Sequence, residues 1–286
     1  MSQPTPPAAA STAAAAPAPP SGRNLPVATA VGVLLAAAVV VSLYVWLPLF
    51  VGVCCLAAVV GMVELVAALA PTGVRVPLPP VIVGGIAIII AAYAGGTDGL
   101  VVAFVLTCAA AVLWRAIEGA DGFVRDATAG VFCVAYVPVL VAFAMLIVVS
   151  ADGPQKVISV VLLVACSDTG GFFAGSRFGR HRMAPQVSPK KSWEGFGGSV
   201  VLTGLVGALV LPLFLELNWW QGLLLGLAIV ASATVGDLGE SLIKRDLGIK
   251  DMSTLLPGHG GLLDRIDSLL VSIPVAWMLF TLFLSS

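Results

Sequence analysis

The run from Trp219 to Leu284, WWQGLLLGLAIVASATVGDLGESLIKRDLGIKDMSTLLPGHGGLLDRIDSLLVSIPVAWMLFTLFL, decides how this chain folds. An apolar stretch ends in charge at Lys244, Arg245 and Asp246, a polar interval follows, and a second apolar stretch begins at Leu262. Apolar runs of about 20 residues are long enough to cross a bilayer as α-helices, which satisfy every backbone N–H and C=O internally. Two such runs around a charged interval read as a membrane hairpin whose polar turn lies at one membrane face.

Upstream the pattern repeats. A mean hydropathy of +1.07 and 10% charged residues in 286 exclude a soluble domain, which would carry about 25% charge. The fold class predicted is all-α, a polytopic integral membrane protein of about nine transmembrane helices. The spans fall at 27–46, 48–70, 79–95, 99–117, 127–150, 155–176, 196–216, 219–243 and 262–284. Eight is the rival count, because the first division rests on Pro48 and the third span is short and holds Gly84–Gly85. Residues 1–26 are Ala/Pro-rich with a single charge, Arg23, and read as a disordered tail ahead of one membrane domain, 27–286. All five cysteines sit in apolar runs, without the spacing of a zinc site, and read as small hydrophobes.

Basic residues set the orientation. With nine spans, the tail and the loops after even-numbered spans hold Arg23, Arg75, Arg115, Arg125, Arg177, Arg180, Arg182, Lys190, Lys191, Lys244, Arg245, Lys250 and Arg265. Of the 14 basic residues only Lys156 lies opposite. The positive-inside rule then makes this face, and the N-terminus, cytoplasmic in the cell (plasma) membrane. The two sizeable polar loops, 175–195 and 246–261, lie on the same face.

Three groups of residues there carry chemistry. Asp264 and Asp267 share a helix face behind Pro257-Gly258-His259-Gly260-Gly261. A glycine-rich turn into a helix N-terminus suits a phosphate, and paired carboxylates beside phosphate suit Mg²⁺. The bland alternative is that these acids only complement the helix dipole. Asp237, Glu240, Ser241 and Lys244 form a second face near the end of the eighth span. There Asp237 reads either as a metal or substrate group or as an ion-pair partner of Lys244 or Arg245. The third group is Ser167-Asp168-Thr169-Gly170-Gly171 with Ser188-Pro189-Lys190-Lys191-Ser192-Trp193-Glu194-Gly195. Its Lys190 and Lys191 suit triphosphate or lipid phosphate. Arg177, Arg180 and Arg182 read equally as topology determinants, and Glu64 is an intramembrane acid without an assigned partner.

The run S-x-x-K-R-x-x-x-x-K-D from Ser241 to Asp251, then P-G-H-G-G-x-x-D-R-x-D from Pro257 to Asp267, resembles the signature of the phosphatidate cytidylyltransferases, or CDP-diacylglycerol synthases. SDTGG and SPKKSWEG look like that family's second block. The resemblance implies transfer of CMP from CTP to phosphatidic acid in phospholipid biosynthesis by a Mg²⁺-dependent membrane enzyme, with scope for a second cation. It also implies a homodimer working at the membrane lipid, with no nucleic-acid partner. By position, Asp237 and Asp264 match the family's metal carboxylates. Asp267, Lys244 and Arg265 are the further catalytic candidates. Asp168, Lys190, Lys191, Ser241, Arg245, Lys250, His259, Gly260 and Gly261 are the substrate-binding ones. A transporter or channel is the rival class, with Asp168, Asp237 and Glu64 as an ion path, although the charges gather at one face. A CDP-lipid:alcohol phosphotransferase is a further rival, but its DGxxAR…GxxxDxxxD pattern is absent.

Overall fold

The structure, a computed structural model, describes residues 25–255 and 260–284. Helices α1 (Leu25–Val45) and α2 (Leu47–Leu69) are separated by Trp46 alone, in extended conformation, with proline in the first turn of α2. Proline has no N–H to continue the preceding helix, so Pro48 makes the division that the sequence suggested.

The next helix, α3 (Leu78–Ile117), has 40 residues, about 60 Å if straight and twice the depth of a bilayer core. It is not straight. Gly96 has φ 59° and ψ −146°, a conformation open in practice only to glycine. Beyond it the chain doubles back, with Gly84 packed on the Thr107 side chain and Gly99 on the Ala91 carbonyl. The two halves are antiparallel, as expected of separate spans at 79–95 and 99–117.

Helices α4 (Phe123–Val134) and α5 (Leu140–Val148) are joined by a π-helical turn, Ala135–Val139, around Pro138. Such wide turns accommodate a proline inside a helix and recur at functional sites. Together they form the bundle's most buried span, 61% buried against 44% or less elsewhere. Helix α6 (Gly153–Phe178) leads into an antiparallel hairpin, β1 (Arg182–Ala184) and β2 (Ser188–Ser192), that the sequence reading did not foresee. Helix α7 (Trp193–Leu209) starts where Ser192 Oγ accepts the Gly195 N–H, and α8 (Trp219–Asp246) starts at a reciprocal Asn218–Gln221 cap. The last helix is α9 (Leu263–Leu284).

Among the described residues seven helices are long and apolar enough to cross a membrane, and α1 adds a 21-residue apolar helix. Small residues let neighbouring backbones touch, Gly170 against Gly198 between α6 and α7 and Gly236 against Asp267 between α8 and α9. The end of α6, the β-hairpin, the start of α7, the end of α8 and the start of α9 therefore meet at one end of the bundle. At the other end Lys156 is buried, bonded to Ser150 Oγ at 3.1 Å and 5.9 Å from the Phe280 ring.

Candidate active site

At the polar end a cavity of about 290 Å³ opens between α6, β2, α7 and α8. Asp168, Lys190, Lys191 and Asp237 line it, together with Ser268 of α9. Residues from three separate sequence blocks thus face one space. Lys191 Nζ lies 2.8 Å from Asp237 Oδ2 and reaches the Thr234 carbonyl at 3.4 Å. The Ser241 hydroxyl donates to Asp237 Oδ1 at 3.4 Å, one turn along α8. Asp237 pairs with Lys191; the Lys244 or Arg245 partner considered from sequence is not used. Asp168 stands within electrostatic reach of Asp237, Asp267, Lys191 and Arg265.

Behind the cavity lies a tighter cluster. Lys244 Nζ donates to Asp264 Oδ1 at 2.9 Å and lies 3.1 Å from Glu240 Oε1. Asp264 Oδ2 accepts the backbone N–H groups of Gly261 (2.7 Å) and Met252 (2.9 Å). Glu240 is fully buried, and its oxygens accept no aligned hydrogen bond; the Lys244 ammonium, shared with Asp264, stands beside Oε1 as an ion pair. Asp267 approaches Glu240, and its Oδ1 accepts the Ser268 N–H at 2.7 Å. The Tyr136 hydroxyl, on the π-helical turn, is buried without a partner within electrostatic reach of Glu240 and Asp267.

A buried carboxylate with empty acceptor positions costs several kcal/mol unless something supplies positive charge or a proton. Asp168, Asp237, Glu240, Asp264 and Asp267 outnumber the two ammonium groups, Lys191 and Lys244, held among them. That surplus of oxygen donors fits a hard divalent cation. Among the described residues, no three acid, histidine or cysteine side chains already converge as a metal-holding group.

Residues 26–283 match the Cytidylyltransferase family. The chain belongs to that family. A Mycobacterium leprae protein named phosphatidate cytidylyltransferase is 39% identical over 280 residues, 92% of this chain and 90% of its own length. One of the same name from Mycobacterium tuberculosis H37Rv is 36% identical over 277 residues, covering 92% and 84%. Another, from Pseudomonas aeruginosa, is 50% identical over 121 residues, 42% of this chain and 45% of its own.

Of the residues singled out from sequence, Asp168, Lys190, Lys191 and Asp237 line the cavity, Ser241 is bonded to Asp237, and Lys244, Asp264 and Asp267 gather around Glu240. Arg265 and Lys250 are exposed at the same end. Arg245 instead donates to the Val187 carbonyl at 3.1 Å, tying the β-hairpin to the end of α8. His259 lies outside the described residues. The amide of Gly261, read as a phosphate donor, is already bonded to Asp264. Gly260 has φ 82°, which lets the chain turn sharply into α9.

The sequence reading missed one residue, Tyr136, and named two others, Glu64 and Glu240, without their settings. Glu64 has partners after all: Leu262 N–H, Leu263 N–H and Ser253 Oγ all donate to it. Tyr136 carried no signal, being one aromatic in an apolar run. Glu240 was visible, three residues after Asp237 on one helix face, but its isolation appears only in three dimensions.

Proposed function

We propose that this protein transfers CMP from CTP to phosphatidic acid, forming CDP-diacylglycerol and pyrophosphate at the cytoplasmic end of a nine-span bundle. The observation that carries the reading is the ion pair of Lys191 with Asp237, 2.8 Å. It joins the SPKKSWEG block to the α8 acid beside a cavity at the rim of an apolar bundle. A lipid keeps its acyl chains in the bilayer there while its phosphate meets a soluble nucleotide. The relatives' name and the family match support the same chemistry.

In the reaction a phosphatidate oxygen attacks the α-phosphorus of CTP. The bond from that phosphorus to the β-phosphate oxygen breaks, and pyrophosphate leaves with the electron pair. Phosphatidate is already ionised at neutral pH, so no general base is required. The protein's task is alignment and neutralisation of charge. Lys190 and Lys191, at the cavity wall, hold phosphate oxygens as point charges. Arg265 and Lys250, exposed at the same end, guide the anionic nucleotide inward. Lys244 orients Asp264 beside Glu240. Asp237 and Asp264 would hold Mg²⁺, with Asp267 and Glu240 adding negative charge around it. When bound, the ion would neutralise the triphosphate and stabilise charge developing on the leaving group. A homodimer is the proposed assembly.

Purified protein supplied with radiolabelled CTP, phosphatidic acid and Mg²⁺ is expected to form CDP-lipid and to stop when the cation is chelated. Absence of CDP-lipid under those conditions sinks the proposal. For the orientation, Lys156 is too buried to label, so an exposed neighbour replaces it. Impermeant maleimide should react in intact cells with Ala151→Cys and spare Asp121→Cys; the reverse pattern would invert the topology.

A further inference from the structure

Glu64 belongs to α2, 198 and 199 positions before the two residues whose amides it binds. It is 4% exposed. Its Oε1 accepts the Leu262 N–H at 2.9 Å and the Ser253 hydroxyl at 2.6 Å, and its Oε2 accepts the Leu263 N–H at 2.8 Å. The first amides of a helix have no partner within it, and a negative charge there is favoured by the helix dipole. At the start of α9 three consecutive amides are met by two carboxylates. Asp264 takes Gly261, and Glu64 takes Leu262 and Leu263. Both acids press on one glycine, since a Cβ at Gly261 would stand 2.9 Å from Glu64 Oε2 and 3.0 Å from Asp264 Oδ2.

The consequence concerns the whole loop between α8 and α9. Ser253, midway through it, and Leu262 at its end are bonded to the same oxygen, so Glu64 ties these two points together. Met252, next to Ser253, is bonded to Asp264. The loop and the acid that Lys244 holds are therefore placed together. An isolated acid in an apolar helix is costly and needs such a reason to persist.

We propose that Glu64 is a positioning residue for the nucleotidyl transfer: from α2 it fixes the α8–α9 loop and the start of α9, and through them the placement of Asp264 against Lys244 and Glu240. It touches no substrate. The inference rests on the activity proposed above. Partners that orient a functional carboxylate are typically worth about 10–100-fold in activity.

The test uses the full-length protein in detergent with Glu64→Gln, which keeps the volume but offers one acceptor oxygen in place of two. Hydrogen exchange of peptides covering 252–263 is expected to quicken, while exchange in the body of α2 is unchanged. The turnover number should fall about 10–100-fold, with KM for CTP moving less than about threefold, because Glu64 lies behind the site. Ser253→Ala, removing one bond of three, should give a smaller loss of the same kind, and Asp98→Asn, an exposed acid at the α3 bend, none. Unchanged exchange at 252–263, or wild-type turnover in folded Glu64→Gln, overturns the proposal. So does a loss that merely follows the folded fraction, with exchange rising equally through α2 and α9. If the unaltered protein makes no CDP-lipid, the activity reading fails, and the exchange measurement still decides whether Glu64 holds the loop.

Discussion

Asp126 and Glu240 are both fully buried acids near the polar end of the bundle, and each lies close to a basic side chain. Around Asp126 every direction is filled. Its Oδ1 accepts the Arg75 N–H at 3.1 Å and Arg125 Nε at 2.9 Å, and its Oδ2 accepts Arg115 Nε at 2.9 Å. Arg115, itself buried, spends its remaining donors on the Gly119 and Asp121 carbonyls. Around Glu240 both oxygens lack an aligned donor, and the nearby groups are two more acids and one ammonium that Asp264 shares. The first arrangement is complete in the protein alone and clamps the loops after α2 and α3 to the start of α4. The second leaves acceptor positions open beside a single ammonium shared with Asp264. Between these two acids it is the satisfaction of hydrogen bonds, not burial or the presence of a basic neighbour, that differs.

The sharpest way to break this contrast is to neutralise the acid on which the working cluster depends. Asp264→Asn is expected to reduce CDP-lipid formation on the order of 10³-fold or more per folded, membrane-inserted molecule, and Asp237→Asn likewise. Near-normal turnover in both variants would remove the metal assignment. At the scaffold acid the opposite signature is expected. Asp126→Ala strands Arg115 and should lower stability by about 3–5 kcal/mol, read as a lower melting temperature and yield. Turnover per folded molecule should stay at wild type. A specific loss of turnover there would mean that Asp126 belongs to the site.

Much of this was legible in the sequence, for identifiable reasons. Hydropathy placed the spans because the bilayer leaves the backbone few alternatives. The break in α3 was readable because Gly95, Gly96 and Asp98 interrupt the apolar run. Lys190, Lys191, Asp168 and Asp237 were chosen as charges at one face, and they do meet at one cavity. What sequence could not supply was partnership. Asp126 sits just before an expected span and reads as an ordinary loop charge. Glu64 read as an acid that could pair across the bundle, but its partners could not be named, because two of its three donors are backbone amides far along the chain, which leave no mark in residue type. The amides after His259 looked open to phosphate because nothing local reveals that Asp264 and Glu64 occupy them.

Glu240→Gln separates the two kinds of acid most finely, because it changes charge and almost nothing else. If Glu240 were scaffold like Asp126, losing its charge beside Lys244 would cost stability. The structure argues the reverse. Lys244 keeps its bond to Asp264 at 2.9 Å without Glu240, and the amide brings donors of its own into a space crowded with carboxylate oxygens. Removing one partner of a buried pair is costly when it strands the other charge, and here Asp264 keeps Lys244 paired. Melting temperature should therefore hold or rise. Activity should fall by about tenfold and recover in part as Mg²⁺ is increased, since one negative charge near the proposed cation is gone. A stability loss above about 2 kcal/mol, the scale of breaking a satisfied charged hydrogen bond, would place Glu240 with Asp126 and erase the distinction. A rise in stability with a rise in the Mg²⁺ requirement would show that the bundle keeps an unsatisfied acid because the reaction needs it.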